Sequence, residues 1–347
     1  MKKILFVSFL TTLISFLSSG QEQVNWISLE EAETLNKTNP KPMIIDFYTH
    51  WCHWCKVMDR TTYQTAEIVD YINQNFYAVK FNAEATDTIV YQEQVYTNAN
   101  GSTGGGRGKP HPLAIKLLNG KLSYPTTLFF DAAKRAPLVF PGYAKPEQFM
   151  PCLTFYHEKL YSVTNINQLI AEFEKANKIG ATKRLNTYTI QEAFQKNQLA
   201  KKTNDLALKK KTLLFFDNPL VVSNNIMKQL LQDSSIASYL NESFYTVPFN
   251  VYSSDTVAVF DTVLTHSTEY PFHSLVYGLI GKNLTFPSIV FFDEENNFIT
   301  QVPQYLDSKM MPIVFEFFEK DYYQTMSYAE YQKQRAAGTL KREETDN

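Results

Sequence analysis

Two cysteines separated by two residues form the most reactive grouping in this sequence. Cys52 and Cys55 lie in the segment Trp-Cys-His-Trp-Cys-Lys, and the whole chain has only 3 cysteines. An apolar run from Met43 to Tyr48 precedes the pair and predicts a strand, and the residues that follow have helical periodicity. On the first turn of a helix, this spacing brings two sulfurs close enough to form a small disulfide ring. The pair therefore indicates thiol redox chemistry.

The start of a helix also makes the two thiols unequal. Unpaired backbone N–H groups and the helix dipole favour an anion there, so we expect the Cys52 thiol to face water and to have a pKa below the usual value of about 8.5. Cys52 is then the nucleophile and Cys55 the resolving thiol. A structural disulfide and half of a zinc site are the alternatives, but zinc needs about four ligands and the only other thiol is the distant Cys152. We predict no metal site.

The N-terminal residues predict export from the cytoplasm. Lys2 and Lys3, an apolar run over 4–17 and the small residues 18–20 follow the order of a secretory signal peptide over 1–20. The apolar run is shorter than the roughly 20 residues of a membrane-spanning helix, so we expect cleavage and no stable membrane insertion. An uncleaved anchor is the alternative. The predicted location is periplasmic or secreted, where disulfides are permitted.

Composition and charge restrict the class of protein further. The chain has 347 residues, 33 basic and 35 acidic, with 26 Phe and 21 Tyr. This length suggests about two domains, and the aromatic content is sufficient for packed cores. Because neither charge dominates, nothing indicates a nucleic-acid partner.

Four blocks of sequence occur twice in the same order. The pairs are 28–32 with 189–193, 73–82 with 241–250, 123–131 with 285–293, and 150–153 with 311–314. Such regularity indicates a duplicated unit. We therefore predict a signal peptide at 1–20, a first copy at 21–180, a second copy at 183–325 and a charged C-terminal extension at 326–347.

The second copy lacks the thiols. Strand alignment between the copies places Val221 opposite Cys52 and Asn224 opposite Cys55. The second copy therefore keeps the scaffold without the reactive pair, and we expect it to serve in binding, packing or spacing.

The order of predicted elements resembles the thioredoxin superfamily, especially its secreted thioredoxin-like domains. A strand, a helix that begins with Trp-Cys-x-x-Cys-Lys, a second strand and helix, and a Pro that opens a hairpin follow one another in the first copy. The resemblance implies an α/β protein with two tandem thioredoxin-like folds, each a central mixed β-sheet flanked by helices. One active and one inactive unit is a plan similar to that of protein disulfide isomerases.

The resemblance also assigns roles to residues outside the cysteine pair. Asp46, six residues before the first cysteine, matches the buried acid that moves the proton of the second thiol, and Lys80 matches the lysine beside that acid. An ordinary solvated strand residue is the alternative for Lys80. Pro125 matches the cis-proline that packs against the disulfide, and with Tyr124 it is the expected substrate-binding segment. Gly142 matches the glycine after the last strand.

The residues around the sulfurs depart from the family pattern. His53 and Trp54 replace the Gly-Pro that thioredoxins have between their cysteines. A charged or hydrogen-bonding His53 would stabilise the Cys52 thiolate and make the couple a stronger oxidant. Trp51 and Trp54 could instead shield the sulfur. We predict that these three residues modulate the active site.

The remaining predictions concern the insertion in the first copy, the third cysteine, the second copy and the C-terminus. The insertion 84–110 is longer than a plain thioredoxin has, and its glycine-rich stretch 101–108 predicts a flexible tip, since it lacks the ending of a phosphate-binding loop. Cys152 is predicted to be a core residue on a helix. Phe215 replaces the buried acid in the second copy. From residue 335 onward we expect a frayed tail.

Together these features predict an exported thiol-disulfide oxidoreductase that acts on protein disulfides, as a reductase or isomerase more than as an oxidase. It would need no cofactor beyond the Cys52–Cys55 disulfide. Its partners would be exported proteins with thiols or disulfides, and possible reductants include a membrane thiol-interchange protein. Two alternatives remain: a binding or chaperone-like module in which the second copy holds unfolded chains, and copper transfer through Cys-His-Trp-Cys.

Overall fold

The computed structural model of the protein describes residues 23–102, 106–130, 137–180, 183–259, 262–282 and 284–340. The predicted signal peptide at 1–20 lies outside these residues. Packing contacts divide the chain into a first unit that ends at Pro146 and a second that begins at Glu147. The boundary predicted near residue 180 separates sequence repeats, which a division by contacts does not test, and it stays a prediction.

The first unit is an α/β structure built on a mixed sheet. Its strands are β1 (Trp26–Ile27), β2 (Met43–Tyr48), β3 (Tyr77–Asn82), β4 (Ile89–Tyr91), β5 (Gln94–Tyr96), β6 (Thr126–Phe130) and β7 (Leu138–Pro141). Its helices are α1 (Leu29–Thr38), α2 (His53–Arg60), α3 (Ala66–Asn75) and α4 (Pro112–Leu117). The main sheet has the order β1-β3-β2-β6-β7, and β4 and β5 form a separate hairpin. Strands β1, β2 and β3 are parallel, whereas β6 is antiparallel to β2 and β7.

Local sequence explains where the elements next to the cysteines begin. Strand β2 is buried along all but its last residue, which matches its continuous apolar sequence. Helix α1 begins after Ser28, whose hydroxyl accepts the Glu31 backbone N–H at 3.1 Å and so caps the helix. The helical segment after the cysteines is interrupted at Thr61, because α2 ends at Arg60 and a 3-10 turn precedes α3. Strand and helix thus meet at the cysteine pair.

The second unit contains another mixed sheet flanked by helices. Its helices are α5 (Pro146–His157), α6 (Ile166–Ile179), α7 (Ile190–Thr203), α8 (Val222–Leu230), α9 (Ser234–Ser243), α10 (Ser274–Ile280), α11 (Met310–Glu319), α12 (Tyr322–Thr325) and α13 (Tyr328–Ala337). Its strands are β8 (Lys211–Asp217), β9 (Phe244–Asn250), β10 (Val257–Val259), β11 (Thr262–Leu264), β12 (Ser288–Phe292) and β13 (Phe298–Val302). The main sheet has the order β13-β12-β8-β9, which repeats the order β7-β6-β2-β3.

The C-terminal extension is more ordered than the sequence predicted. Helix α13 continues through Ala337, beyond residue 335, where we expected fraying. On α11, the Glu316 carboxylate accepts hydrogen bonds from the Tyr331 hydroxyl at 2.8 Å and from Nε of Arg335 at 2.9 Å. These bonds hold α13 in place, which explains the difference. Residues 341–347 lie outside the described residues.

No helix in the part of the chain that the structure describes has both the length and the apolar character needed to span a membrane.

Candidate active site

The two cysteines of the motif are joined by a disulfide at the start of α2. Their Cα atoms are 5.4 Å apart. Cys52 is the residue before the helix, and its sulfur accepts the backbone N–H of Cys55 at 3.1 Å. A bond from the Cys52 N–H to the Thr49 carbonyl at 3.1 Å closes the turn after β2. The predicted placement of a sulfur at a helix N-terminus is therefore confirmed.

The expectation that Cys52 faces water is wrong for this oxidised form. Cys52 is only 4% exposed and Cys55 only 2%. The first sulfur folds back over the first turn of α2, where it is bonded both to the second sulfur and to a backbone N–H. Little of the disulfide surface is therefore accessible to an attacking partner.

A buried carboxyl lies on the strand that leads to the disulfide. Asp46 is 1% exposed, and the register of the sheet places it between Lys80 on β3 and Thr127 on β6. Burial raises its pKa from 3.8 to about 6, because the charged form loses its hydration, and the nearby Lys80 ammonium opposes this rise only in part. A carboxyl with a pKa near neutrality can take up and release a proton under physiological conditions.

Lys80 joins Asp46 to a second acid that the sequence analysis missed. Its ammonium lies 3.3 Å from the Asp46 carboxylate and forms an ion pair with Asp59 on α2. The same ammonium lies over the rings of Trp26, at 4.9 Å, and Tyr63, at 5.3 Å. Lys80 therefore contacts the buried Asp46 as the resemblance implied, and its role in the chemistry stays a prediction. Asp59 lies four residues after the second cysteine, which on a helix is the same face, and that spacing was the available signal.

The segment predicted to bind substrate lies beside the motif. The Tyr124–Pro125 peptide bond is cis, as the resemblance implied, and so is Phe286–Pro287 in the second unit. The ring of Tyr124 meets that of Trp51 edge to face at 6.2 Å, and burial raises the pKa of Tyr124 to about 12. The predicted residues Trp51, Tyr124 and Pro125 are thus brought together.

Exposed aromatic rings surround the disulfide. Trp51 is 37% exposed and Trp54 is 55% exposed. The Trp54 ring stacks on Tyr143 at 5.5 Å, and the His53 ring meets Trp54 edge to face at 5.6 Å. Because His53 is exposed and packs on this ring, its position fits a modulating role rather than a buried structural one.

The insertion contacts the motif through Trp51, which sequence reasoning did not foresee. The Glu84 carboxylate accepts the indole N–H of Trp51 at 3.0 Å and the backbone N–H of Gly108 at 3.1 Å. The guanidinium carbon of Arg107 lies 4.5 Å from the centre of the Trp51 ring. Nothing in the local sequence signals these contacts, because they depend on how the insertion folds back.

The expected flexible tip at 101–108 is wrong at both of its described ends. A Cβ atom on Gly101 would lie 2.4 Å from the Glu84 carbonyl oxygen, and one on Gly108 would lie 2.5 Å from the Ser102 backbone nitrogen. These glycines therefore serve close backbone packing. Residues 103–105 lie outside the described residues.

The residues that replace the two cysteines in the second unit occupy the structural positions that the sequence alignment predicted. Val221 precedes α8 as Cys52 precedes α2, and its N–H donates to Asn218 at 3.1 Å, as that of Cys52 does to Thr49. The side chain of Asn224 donates to the Phe216 carbonyl at 2.8 Å and accepts from the Asn218 N–H at 3.1 Å. Hydrogen bonds within the unit thus replace the disulfide.

A carboxylate occupies the N-terminus of α8. The two oxygens of Glu158, which follows α5, accept the backbone N–H groups of Val222 at 2.8 Å and Ser223 at 3.1 Å. The N-terminus of a helix favours an anion, and here the chain itself supplies that anion as the Glu158 carboxylate.

Two remaining predictions concern the third thiol and metals. Cys152 lies on α5 with no exposed surface, as predicted, and burial raises the pKa of its thiol to about 12. Among the described residues, no three or more His, Cys, Asp or Glu side chains are grouped so that they could hold a metal ion.

Sequence comparison finds a family model similar to the N-terminal part of the chain. A family model named Thioredox_DsbH, "Protein of unknown function, DUF255", matches residues 14–165. Spermatogenesis-associated protein 20 of Rattus norvegicus is 28% identical over 90 residues, which are 26% of this chain and 11% of the rat protein. The match therefore spans about a tenth of that relative's length.

Solved structures give weaker similarities. A DsbH oxidoreductase has 15% identity and a TM-score of 0.30, with 42% of this chain and 93% of that chain covered. A thioredoxin-fold protein from Helicobacter pylori has 19% identity and a TM-score of 0.31, with 40% and 84% covered. ERdj5 has 10% identity and a TM-score of 0.25, with 87% and 30% covered. At these TM-scores they add nothing to the topology described above.

The topology of the first sheet, the disulfide at the start of α2 and the family match agree with one another. The first unit is therefore a thioredoxin-like domain with a Cys-x-x-Cys pair at disulfide distance, and its sequence matches the DsbH-type family.

Proposed function

We propose that this protein is an exported thiol-disulfide oxidoreductase that reduces or isomerises protein disulfides through Cys52 and Cys55. The observation that carries this proposal is the disulfide at the N-terminus of α2, with the buried Asp46 carboxyl on the adjoining strand. A sulfur that accepts a backbone N–H at a helix N-terminus is stabilised as a thiolate once the disulfide is reduced.

The reaction starts from the dithiol form. The Cys52 thiolate attacks one sulfur of a substrate disulfide, a mixed disulfide forms, and the other substrate sulfur leaves as a thiolate that takes a proton from water. Cys55 then passes its proton to the Asp46 carboxylate, and the resulting thiolate attacks the Cys52 sulfur. The second substrate thiolate leaves, and two electrons have passed from the protein to the substrate.

Return to the dithiol requires a further dithiol reductant. A membrane thiol-interchange protein is our proposal for this partner, because export removes the chain from the cytoplasmic reducing systems. In isomerisation no such reductant is needed, since the Cys52 sulfur is released when another substrate thiol attacks the mixed disulfide.

The rings around the disulfide favour a polypeptide substrate. Trp51 and Trp54 are exposed, and they pack on Tyr124 and Tyr143 at the margin of the site. Aromatic side chains with one exposed face are typical of surfaces that bind peptide chains. The backbone at Pro125 would pair with an extended segment of the substrate.

Reduction of insulin disulfides with dithiothreitol as the electron source tests the activity. We expect the full chain to accelerate the reaction and Cys52→Ser to abolish the acceleration. Cys152→Ala is the matched control, since that thiol is buried and should leave the rate unchanged. Equal rates for wild type and Cys52→Ser would refute the proposal.

Export has its own test. The support for it is the sequence pattern of residues 1–20. When the full chain is expressed with its leader in a Gram-negative host, N-terminal sequencing of the periplasmic protein should begin at Gln21. A product that retains Met1 in the cytoplasm would contradict this part of the proposal.

A further inference from the structure

Arg107 is a charged residue beside Trp51 that the proposed reaction does not use. It lies in the insertion, more than fifty residues from the motif in sequence, yet its guanidinium carbon is 4.5 Å from the centre of the Trp51 ring. Trp51 directly precedes the reactive Cys52. A positive charge is thus held over the residue that borders the nucleophile.

Hydrogen bonds hold both the ring beneath this guanidinium and the backbone that follows Arg107. The Glu84 carboxylate, only 6% exposed, accepts the Trp51 indole N–H and also the N–H of Gly108, the next residue after Arg107. The Lys109 N–H donates to the Asn100 carbonyl at 2.8 Å, which holds the following residue as well. Ring and backbone are therefore both tied down where the guanidinium lies.

The guanidinium also keeps its hydrogen-bonding capacity. Stacking uses the face of the group and leaves the N–H donors at its edge available. Arg107 is exposed, and among the described residues no salt bridge joins it to a carboxylate. The nearby Glu84 is directed to N–H donors of its own. Arg107 is thus an exposed guanidinium beside Trp51 with donors that a carboxylate could accept from.

We propose that Arg107 is a substrate-recognition residue that binds an Asp or Glu side chain close to the disulfide-bonded cysteine of a protein substrate. This inference rests on the proposed function, and it names the substrate class as polypeptides with acidic residues near the disulfide. A guanidinium pairs with a carboxylate through two parallel N–H···O bonds, so the contact would fix the substrate's orientation as well as its affinity.

Turnover of matched peptides tests this inference. Two cystine peptides differ only in having Asp or Asn beside each cysteine, and their reduction by the full chain with dithiothreitol as the electron source is followed at low ionic strength, above the rate with dithiothreitol alone. We expect kcat/KM to be about tenfold higher for the Asp peptide, as one charge-assisted contact would give. Arg107→Gln should remove the preference, and Arg107→Glu should reverse it.

Lys109→Gln is the matched control. It removes the same charge two residues away, in the same segment, from a side chain that is exposed. The Asp preference should survive in this variant if the guanidinium itself recognises the carboxylate. A preference that persists in Arg107→Gln, or that Lys109→Gln removes equally, would overturn the inference. An equal fall in kcat/KM for both peptides in Arg107→Gln would also overturn it, since that result indicates a structural role for Arg107.

A binding measurement separates this inference from the proposed function. Peptides with Ser in place of Cys cannot react, and their binding to the oxidised protein is followed by tryptophan fluorescence. About tenfold tighter binding of the Asp peptide by wild type, but not by Arg107→Gln, supports recognition even if no peptide is reduced, and in that case only the redox proposal fails. Reduction of both peptides without any preference in rate or binding overturns the recognition proposal alone.

Discussion

Asp46 is buried on β2 beside Lys80, and its pKa of about 6 means that the folded protein holds a carboxylate in its interior at pH 7. Burial of a charged group costs free energy, and the ion pair with Lys80 offsets only part of that cost. Groups with such shifted pKa values are concentrated at sites that transfer protons. A carboxylate that is kept buried despite this cost is therefore consistent with a role in proton transfer near the cysteines.

Replacement of Asp46 by Asn should stabilise the oxidised protein at pH 7. The rise from 3.8 to about 6 corresponds to roughly 1 to 3 kcal/mol in the free energy of unfolding. The folded state binds this proton more tightly than the unfolded chain, so the wild type regains stability as the pH falls from above 6 towards 4. Urea unfolding should show a gain for Asp46→Asn at pH 7 that nearly vanishes at pH 4. A loss of stability at pH 7 would contradict the assignment.

Asp59 should tune the pKa of Asp46 through Lys80. Its negative charge raises the Asp46 pKa and also draws on the Lys80 ammonium that both acids share. We expect Asp59→Asn to lower the Asp46 pKa below about 6, because Lys80 then pairs with Asp46 alone. The pH dependence of insulin reduction should have its acidic inflection shifted downward with little change in the maximal rate. An unshifted profile would show that Asp59 does not affect the relay.

Sequence spacing could locate those residues that lie on, or next to, the strands beside the cysteine motif. Asp46 lies on the strand that leads into the motif, and Pro125 directly precedes the strand that pairs with it, so family spacing was enough to place both near the motif, while their roles stay predictions. Glu84 and Arg107 could not be found in this way. Their place beside Trp51 depends on the folding of the insertion, for which neither periodicity nor spacing carries a signal.

At the level of elements, the insertion is a packed structure rather than a loose loop. Asn98 donates from its side chain to the carbonyls of Ala85 and Lys109, both at 2.9 Å, and thereby joins the two ends of the segment. The Ser102 N–H donates to the Glu84 carbonyl at 2.7 Å. The backbone therefore approaches itself closely at Gly101, where a side chain would collide with it.

Alanine substitution at two glycines of this segment should lower the stability of the protein at one position and leave it unchanged at the other. Gly101→Ala places a Cβ atom 2.4 Å from the Glu84 carbonyl oxygen, whereas a Cβ on Gly106 would meet nothing within 4 Å. We expect Gly101→Ala to lower the free energy of unfolding by roughly 1 to 3 kcal/mol, as is usual for overpacking, and to alter the fluorescence of Trp51. Gly106→Ala is the control and should behave as wild type in both measurements. Similar results for the two variants would refute this packing.

In the second unit, Glu158 should stabilise α8. It supplies the carboxylate for two free N–H groups at the N-terminus of that helix. We expect Glu158→Gln to lower the free energy of unfolding by about 1 kcal/mol, because the charge at the positive end of the helix dipole is lost. Glu174→Gln, an exposed position inside α6 and away from its N-terminus, should have little effect. Urea unfolding that shows the same change for both variants would contradict the assigned role.

For the whole molecule, the duplicated sequence predicted the repeated sheet. The strand order β3-β2-β6-β7 of the first unit recurs as β9-β8-β12-β13 in the second. Val221 and Phe215 lie where alignment with Cys52 and Asp46 placed them, on the turn before α8 and on β8. At these positions the second unit therefore has neither a cysteine nor a carboxyl group.

Sequence did not predict which unit the helices after the first sheet would join. Residues 147–180 belong to the first repeat by sequence but to the second unit by contacts. Helix α6 packs on α8, the Gln168 amide donates to Asp307 at 2.6 Å, and Glu172 accepts from the Ser308 hydroxyl at 2.9 Å. The boundary between the repeats is defined by sequence similarity, whereas the boundary between the units is defined by contacts in the folded chain. The two boundaries therefore need not coincide.

Trapping of the mixed disulfide tests the central claim most directly. Full-length Cys55→Ser, which lacks the resolving thiol, is incubated with a disulfide-bonded protein substrate, and the adduct is located by mass spectrometry of its peptides. We predict a stoichiometric adduct on Cys52 that the Cys52→Ser variant does not form. An adduct on Cys152, or an equal yield of adduct from both variants, would contradict the assignment of Cys52 as the nucleophile.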